Sequence, residues 1–473
     1  MPQHKTAIHW FRRDLRLMDN TALHHAARDS AQVIPVYILS GSSQNHGWTG
    51  PIRQQFLCDS LDSLSKNLET AGSRLVLRCG QADAELEKLI HETQAEAVYF
   101  NRDYDPYGRM MEKKVQEVCR RIGIPCHSFK DRVLHEPDEV LTGSGGPYRV
   151  YTPYSKNWLS LDKTAAEGKP ASLGPAAAAS VTSLPVPTLA HWKLPSAPDG
   201  IPAGGEKAAR QRMKSFIENR TLHEYGEKRD IPAGTTTSRL GQDLRFGLIS
   251  IRELHARCLA AATQATTPAA RTSIEKYIKE LAWREFYIGI LWHYPEVFEE
   301  EFNPDFRGLP WPGTDEGFHA WSQGRTGFPI VDAGMRQLLA TGFIHNRVRM
   351  IVSMFLTKDL HCDWRQGESF FMQHLVDGEN ASNNGGWQWS AGTGADAAPY
   401  FRIQNPWTQT KRYDPDGAYI RTWVSELKNV PAERLLDAPK DNRPIAPDYP
   451  LPCVDHSTER DRTLAIFAKH REK

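Results

Sequence analysis

The stretch TAIHWFRRDLRL, residues 6–17, joins a run of strand-forming apolar residues to a group of charged ones. Further short apolar runs follow it, separated by longer segments whose apolar residues recur at intervals of three and four. This alternation is typical of an open α/β domain, a parallel sheet with crossover helices that binds a ligand at its strand ends. The predicted strands are residues 6–11, 33–39, 74–77 and 97–100, and the predicted helices are residues 20–27, 53–70, 81–91 and 107–121.

The chain changes character after this region. Residues 164–205 are rich in Ala, Pro, Ser and Gly, a composition that favours turns and extended chain. The amphipathic segments beyond them predict helices at residues 208–217, 251–262, 269–291, 332–341, 347–359 and 368–373. A chain of 473 residues also exceeds what one core usually holds. The sequence therefore predicts an α/β domain over residues 1–130, an interdomain linker over 131–205 and a mainly α-helical domain over 206–473.

Composition excludes several classes of protein. Hydrophobic residues at 40% and charged residues at 24% describe an ordinary globular chain. No apolar run approaches the ~20 residues of a membrane helix, and the first residues do not resemble a signal peptide, so we expect a cytoplasmic protein with no membrane role. The seven cysteines include no CxxC pair, which argues against disulfides and a zinc site. With a net charge of +1, any DNA binding must come from a local basic surface.

The common catalytic and nucleotide-binding motifs are absent from the sequence. It has no GxGxxG after the first strand, no GxxxxGK[ST], no HExxH and no GxSxG. A dinucleotide or P-loop site needs glycines where the backbone approaches phosphate, yet the first predicted strand runs directly into FRRDLRL. Classical dehydrogenases, kinases and hydrolases are therefore disfavoured.

Three blocks of the predicted helical domain are dense in Trp, Asn, Arg and Glu: EKYIKELAWREFY at 275–287, TGFPIVDAGMRQLLATGFIHNRVRMIVSMFLTKDL at 326–360, and FMQHLVDGENASNNGGWQWSAGTGADAAPYFRI at 371–403. They closely resemble the photolyase and cryptochrome family, and within it the bacterial class I photolyases of cyclobutane pyrimidine dimers. The resemblance extends from HWFRRDLRL at 9–17, through GSGGPYRVYTPYSKNW at 143–158, to RYDPDGAYIRTWVSEL at 412–427. It covers nearly the whole chain.

The resemblance implies a DNA repair enzyme with bound FAD. Excited FADH⁻ gives an electron to a pyrimidine dimer, and the cyclobutane ring then splits without a nucleophile or metal. Photolyases are among the enzymes that extrude their target nucleotides from the helix. The partner would be DNA that contains pyrimidine dimers, and we expect a monomer. The alternative is a cryptochrome, a blue-light receptor on the same fold.

Two segments carry the expected catalytic residues. Tyr277, Glu280, Trp283 and Tyr287 follow one another at offsets of three, three and four, which puts them on one helix face. From spacing alone, Glu280 pairs with Arg284 at i,i+4, whereas the resemblance implies that Glu280 hydrogen-bonds the damaged base and Trp283 forms an apolar wall. In HNRVRM at 345–350, the residue type alone predicts that Met350 fills space in the hydrophobic core.

The resemblance assigns Met350, Asn346 and Asn383 more specific roles. Met350 packs on the dimer, Asn346 contacts the lesion or its strand, and Asn383 faces the flavin N5 edge. The alternative for NNGGWQW at 383–389 is an ordinary connection between helices, because Asn and Gly favour turns.

The resemblance also implies the FAD contacts. Hydroxyl and backbone groups of TTTSRLGQDLRFG at 235–247 would hold the diphosphate, as expected at a helix start. Gly241 departs from the family, which usually has serine there, and Glu379 stands where the family most often has Asp, a change that we expect to be tolerated. The cofactor-binding residues are Tyr225, Thr237, Ser238, Arg239, Leu240, Gly241, Tyr277, Arg347, Asp377, Gly378, Glu379 and Asn383.

Electron transfer and DNA binding complete the set. Most of the thirteen tryptophans are core residues, but Trp387, Trp364 and Trp311 match the family's chain of redox-active tryptophans. The expected DNA-binding residues are Arg229, Glu280, Trp283, Arg284, Asn346, Arg347, Trp389, Arg402 and Gln409, with Lys411 and Arg412 as further phosphate contacts.

The antenna chromophore is predicted from a short match. Family members with a folate antenna have an Asn-Glu pair where this chain has Tyr107 and Gly108. The local pattern, NRDYDPYGR at 101–109, resembles that of the deazaflavin-binding members, so an 8-hydroxydeazaflavin is favoured, with Asp103 and Arg53 as candidate contacts. A folate antenna and a chain without an antenna remain the alternatives.

Overall fold

A parallel sheet forms the first domain. The computed structural model describes residues 2–40, 48–174, 180–396, 402–440 and 443–472. In these ranges five strands pair in the order β3-β2-β1-β4-β5, and every pairing is parallel. The strands are β1 (His4–Phe11), β2 (Ser30–Leu39), β3 (Val76–Cys79), β4 (Ala97–Asn101) and β5 (Cys126–Phe129). The strand order reverses at β1, the place where open α/β sheets bind ligands.

Four helices cover the two faces of this sheet: α1 (Thr21–Asp29), α2 (Pro51–Thr70), α3 (Ala82–Thr93) and α4 (Pro106–Ile122). Asn20 and Asp105 cap α1 and α4 by accepting hydrogen bonds from Leu23 N and Gly108 N. All predicted strands and helices of this domain are confirmed to within a few residues. β5 was not predicted from the sequence. This strand has only four residues, two of them polar, and all four are half-buried, so its apolar signal is weak.

The second domain is helical, as predicted. Its helices are α5 (Tyr151–Ser160), α6 (Glu206–Glu218), α7 (Thr221–Lys228), α8 (Gly241–Arg245), α9 (Ile251–Gln264), α10 (Pro268–His293), α11 (Asp315–Ser322), α12 (Pro329–Thr341), α13 (Asn346–Met354), α14 (Trp364–His374), α15 (Asn380–Ala391), α16 (Pro406–Tyr413), α17 (Ala418–Trp423), α18 (Ala432–Leu435) and α19 (His456–Arg471). The predicted helix over 347–359 divides into α13 and a π-helical turn, Phe355–Asp359.

The predicted linker contains helical structure that packs against the second domain. α5 lies within residues 131–205 and packs against α10. Between residues 164 and 205, the described residues form a short 3-10 turn, Leu189–Trp192, and otherwise lie outside helices and strands. The composition of residues 164–205 therefore predicted the irregular conformation of their described part correctly. The domain boundaries themselves stay a prediction.

Buried ion pairs join the two domains beside β1. Arg16 donates to both carboxylate oxygens of Asp131 at 2.8 and 2.9 Å, and Arg252 of α9 donates to Asp131 at 2.9 Å and to Asp19 at 3.1 Å. Glu206 at the start of α6 accepts hydrogen bonds from Leu17 N and Met18 N at 3.0 Å. Arg16 and Asp19, which follow the first strand, therefore serve the domain interface. In the described residues no helix has both the length and the apolar character needed to cross a membrane.

Candidate functional site

A cavity of about 660 Å³ lies among the helices of the second domain. This is the size of a site for a drug-sized or cofactor-sized ligand. Its walls come from α7, the segment 237–241, α10, α13 and α15, so helices distant in sequence meet there. The predicted residues that line it are Tyr225, Arg229, Thr237, Ser238, Arg239, Leu240, Gly241, Tyr277, Glu280, Trp283, Arg284, Asn346, Met350, Asp377, Gly378, Glu379, Asn383, Trp387, Trp389 and Arg402.

Helix α10 presents its predicted face to this cavity. Thr267 caps the helix by accepting a hydrogen bond from Ala270 N, and Pro268 occupies its first turn. Tyr277, Glu280 and Trp283 then line the cavity, as the spacing predicted, and Tyr287 joins them. The 3.6-residue period of the helix is sufficient to place these four side chains together.

Glu280 pairs with Arg229, the residue that follows α7, and not with its helical neighbour Arg284. The i,i+4 alternative is therefore wrong. Arg284 turns instead to Glu379, which accepts from it at 2.9 and 3.0 Å. Burial raises the pKa of Glu280, and the neighbouring Arg229 opposes that shift without cancelling it. The carboxyl group is therefore more easily protonated than an exposed glutamate, and a protonated carboxyl group can donate a hydrogen bond.

Glu379 connects the cavity wall to the sheet domain. Besides the two bonds from Arg284, it accepts a hydrogen bond from Arg132 at 2.7 Å, and Arg132 also pairs with Asp103 after β4. Burial opposes ionisation of Glu379, but Arg284 and Arg132 outweigh it and lower the pKa of the carboxyl group. Glu379 is thus an ionised side chain between two guanidinium groups from the two domains.

The predicted diphosphate segment lies at one end of the cavity. Arg239 has a left-handed φ of 52°, and its guanidinium group stacks over Phe343 with 3.5 Å between its central carbon and the ring centre. A Cβ atom at Gly241 would lie 2.7 Å from Oδ2 of Asp377. Asp377 in turn accepts a hydrogen bond from Arg349 at 2.9 Å. Gly241 therefore gives room to an ion pair in the cavity wall, which is a physical reason for its departure from the family's serine.

The NNGGWQW block is helical, so its interpretation as a connection between helices is wrong. It lies within α15, and Gly385 serves close packing, because a Cβ atom there would collide with the ring of Tyr287 in α10. Asn383 donates to the backbone oxygen of Glu368 at 3.0 Å, and Asn384 donates to Oε1 of Glu368 at 3.0 Å. Burial raises the pKa of Glu368 to about 8, while the bond from Asn384 opposes the shift. Sequence reasoning missed this buried carboxyl group.

Trp387, Trp364 and Trp311 share one hydrophobic core. Trp387 lines the cavity. The indole ring of Trp387 lies against Gly367, which follows Trp364 by one turn in α14. Trp364 is fully buried and donates from Nε1 to Glu301 at 3.2 Å, whereas Trp311 is half-buried at the edge of the same core. The order from cavity to surface agrees with the predicted direction of the chain, while electron transfer through these rings stays a prediction.

Arg347 and Gln409 lie outside the cavity walls. Asn346 and Met350 point inward from α13, and Arg347, about 100° around the helix from Asn346, points elsewhere. Its guanidinium group donates to Asp230 at 2.8 Å and lies 4.6 Å from the ring centre of Tyr413, the last residue of α16. The position of Arg347 therefore does not support the predicted flavin contact. Its DNA contact stays a prediction, as does that of Gln409 in α16.

The candidate antenna residues are buried near the domain interface. Asp103 pairs with Arg132 and lies 3.3 Å from Nε of Arg13. Arg53 in the first turn of α2 is 4% exposed and lies beside Gly378. Both side chains already have protein neighbours of their own, and their role as chromophore contacts stays a prediction.

Several cavity residues escaped sequence reasoning. Arg349 and Ser353 lie three and seven residues after Asn346, so the helical period of α13 could have identified them. Asp396 follows α15 and lines the cavity from a left-handed backbone conformation, φ 55°. Tyr151 stacks on Trp283 from α5, and no spacing in the sequence relates these two residues.

Comparisons with known proteins point in one direction. A family model described as "FAD binding domain of DNA photolyase" matches residues 277–469, and one described as "DNA photolyase" matches residues 7–173. The chain is 42% identical to the deoxyribodipyrimidine photo-lyase of Agrobacterium fabrum, with 98% of each chain covered. A class III photolyase from Agrobacterium tumefaciens superposes with a TM-score of 0.91 at 40% identity, over 100% of this chain and 99% of the other.

An archaeal photolyase from Sulfolobus tokodaii, solved with two FAD molecules, superposes with a TM-score of 0.84 at 32% identity, over 98% of this chain and 100% of the other. These similarities span both domains. The narrower expectation, of class I within the bacterial enzymes, stays a prediction.

Proposed function

The chain belongs to the DNA photolyase family, and on that premise we propose that it is a deoxyribodipyrimidine photo-lyase, which splits cyclobutane pyrimidine dimers in DNA under light. The observation that carries the proposal is the meeting of Glu280 from α10 and Asn383 from α15 in one open cavity. The first is the expected partner of the damaged base and the second the expected partner of the flavin. A signalling role is disfavoured, because the repair pocket of Glu280, Trp283, Met350 and Trp389 is complete.

The cavity suits FAD in size and in chemistry. Thr237 and Ser238 supply hydroxyl groups for phosphate, and Arg239 and Arg349 supply positive charge at the same end. When bound in its reduced form, FAD supplies the electron that splits the dimer. Tyr225, Tyr277, Asp377, Gly378 and Glu379 would complete its surroundings.

The chain's own contribution is to orient the substrate and to stabilise charge. A protonated Glu280 would donate a hydrogen bond to a pyrimidine carbonyl oxygen, where negative charge develops once an electron arrives. Trp283 and Met350 supply the apolar wall against which the dimer packs. The side chain of Glu280 is only 30% exposed, and this partial shielding from water strengthens that hydrogen bond.

DNA binding would rest on residues at and beside the cavity mouth. Extrusion of the dimer costs a few kcal/mol, and less where the lesion has already weakened pairing and stacking. Arg229 and Arg402 line the cavity, and Arg347 and Arg412 approach the ring of Tyr413 within 4.6 and 5.2 Å on the neighbouring surface. These cations suit sequence-independent contacts to phosphate. Affinity should accordingly fall steeply with salt, despite a net charge of only +1.

A second chromophore would require a local change. The structure of the Sulfolobus tokodaii relative contains two FAD molecules, which is a property of that protein. We retain the 8-hydroxydeazaflavin as the prediction for this chain. Contacts from Asp103 or Arg53 would have to replace or share the present contacts with Arg132 and Gly378. The absorption spectrum of the purified protein distinguishes a deazaflavin, a folate and FAD alone. Action on DNA as a cytoplasmic monomer also stays a prediction.

Repair of an oligonucleotide that contains one thymine dimer tests the function. The protein, loaded with FAD and reduced, should restore the intact thymines under blue light and leave them damaged in the dark. An undamaged oligonucleotide of the same sequence serves as the binding control, with both affinities measured across a salt series. No repair in the light by reduced, FAD-loaded protein would refute the proposal.

A further inference from the structure

Trp283 is stacked face to face on Tyr151. The two ring centres are 3.6 Å apart, and the ring planes differ by 9°. Tyr151 is buried at 8% exposure, whereas Trp283 is half-buried and lines the cavity. One face of the indole ring is therefore covered by protein, and the phenol ring that covers it comes from α5, outside the helices that carry the expected catalytic residues.

Two hydrogen bonds hold Tyr151 in this position, and a third fixes Asp396, which accepts one of them. Its hydroxyl group donates to the backbone oxygen of Lys279 at 2.7 Å, in the turn of α10 that carries Glu280. Its backbone N–H donates to Oδ1 of Asp396 at 2.9 Å, and Asp396 N donates to the backbone oxygen of Arg149 at 3.1 Å. Tyr151 is thus tied both to α10 and to the segment after α15, the two sides of the cavity mouth.

A flat ring is useful as a ligand wall only when it cannot rotate. A half-buried tryptophan with an empty space behind it has several side-chain rotamers, and binding a ligand would then cost the entropy of selecting one of them. Stacked aromatic pairs contribute attraction beyond the area they bury. Tyr151 supplies such a pair behind Trp283, and it remains neutral because burial raises its pKa well above the usual range.

We propose that Tyr151 is a positioning residue, which fixes the indole of Trp283 as the wall for an extruded pyrimidine pair and so sets the preference for damaged over undamaged DNA. This inference rests on the proposed function and deepens it. Undamaged DNA keeps its bases stacked in the duplex and does not use this wall. Loss of Tyr151 should therefore weaken the binding of the dimer and leave phosphate contacts and FAD binding as they are.

Two substitutions separate the ring from the hydroxyl group. Tyr151→Leu keeps an apolar side chain of moderate size and removes the stack, whereas Tyr151→Phe keeps the stack and removes the bond to Lys279. Tyr107→Ala, at a tyrosine that is 61% exposed on α4, controls for the loss of a tyrosine elsewhere. Each variant is measured for FAD content, for affinity to a thymine-dimer oligonucleotide, and for affinity to the undamaged oligonucleotide.

The ratio of the two affinities is the decisive quantity. Since an aromatic pair contributes about 0.5–1.5 kcal/mol, Tyr151→Leu should lower this ratio about 2- to 12-fold, while Tyr151→Phe and Tyr107→Ala should change it less than about twofold. An unchanged ratio in Tyr151→Leu overturns the inference. So does an equal loss in Tyr151→Phe, or a parallel loss of FAD and of undamaged-DNA affinity, which would indicate a general structural role. If the wild type itself shows no preference and no repair, the proposed function has failed instead.

Discussion

Replacement of Glu379 by glutamine should destabilise the protein more than any single surface charge. The side chain of Glu379 is 9% exposed and accepts hydrogen bonds from Arg132, which is 4% exposed, and from Arg284, which is 10% exposed. Glu379→Gln removes the negative charge and takes from the desolvated Arg284 its ion-pair partner, while Arg132 keeps its pair with Asp103. Breaking a buried ion pair from one side costs about 3–5 kcal/mol, because the remaining charge has lost its partner.

The expected change in melting temperature follows from the size of the chain. At about 2 cal/mol/K per residue, a chain of 473 residues that melts as one unit has an unfolding entropy near 1 kcal/mol/K. The Glu379→Gln variant should therefore melt about 3–5 °C below the wild type. Glu379→Asp keeps the charge but is one methylene shorter, so it should recover part of the loss by holding one guanidinium group.

Thermal melting at neutral pH in excess FAD measures these differences. Asp62→Asn is the matched control, because Asp62 pairs with Lys66 on the exposed side of α2, with side-chain exposures of 48% and 70%, and such pairs contribute little. The folded-state pKa of Glu379 is lowered, so its contribution is present above the unfolded pKa and is lost as the pH falls. A Glu379→Gln variant that melts within about 1 °C of the wild type, or no further below it than Asp62→Asn, would refute the reasoning.

Three further outcomes are expected. Glu280→Ala should lower the yield of repair at least about tenfold while the FAD absorbance is retained, because a hydrogen bond to a charged group contributes about 1.5–3 kcal/mol. Glu280→Gln, which keeps a donor, should lose less, and an unchanged yield in Glu280→Ala contradicts the assigned role. Burial raises the pKa of Glu368 from 4.5 to about 8, so the folded state retains a proton that the unfolded chain releases, and the free energy of unfolding should fall as the pH rises between those values. In urea unfolding at pH 6 and pH 9, the Glu368→Gln variant should not show this decline in the free energy of unfolding. An equal decline in the variant and the wild type would contradict the assignment to Glu368. Trp364→Phe should slow the light-driven reduction of oxidised FAD but leave repair by chemically reduced protein intact; an unchanged photoreduction rate, followed by flavin absorbance, would place the electron path elsewhere.

Local periodicity accounts for the parts of the fold that the sequence predicted well. The strands of the first domain are apolar because helices cover both faces of the sheet, and the cavity face of α10 follows from offsets of three and four along one helix. β5 and α15 were not predicted from the sequence, for two different reasons. β5 has four half-buried residues with little apolar signal, and the Asn and Gly residues of α15 favour turns in isolation. In α15, packing overrides this preference, because Gly385 lets the helix approach Tyr287 of α10.

Motif resemblance identified most of the residues around the cavity, but it could not assign their partners. Arg284 lies four residues from Glu280 in sequence and yet binds Glu379, while Glu280 pairs with Arg229, the residue that follows α7. Charged side chains are long and can reach several neighbours, so their pairing depends on which helices the core brings together.

The sequence by itself determined the parallel sheet, the helical second domain and the face of α10 that meets the cavity, because each depends on residues near one another along the chain. Only the tertiary structure decided that Tyr151 supports Trp283, that Gly241 makes room for Asp377, and that Glu379 joins the two domains. These contacts join residues far apart in sequence, and their geometry exists only after the intervening chain has packed.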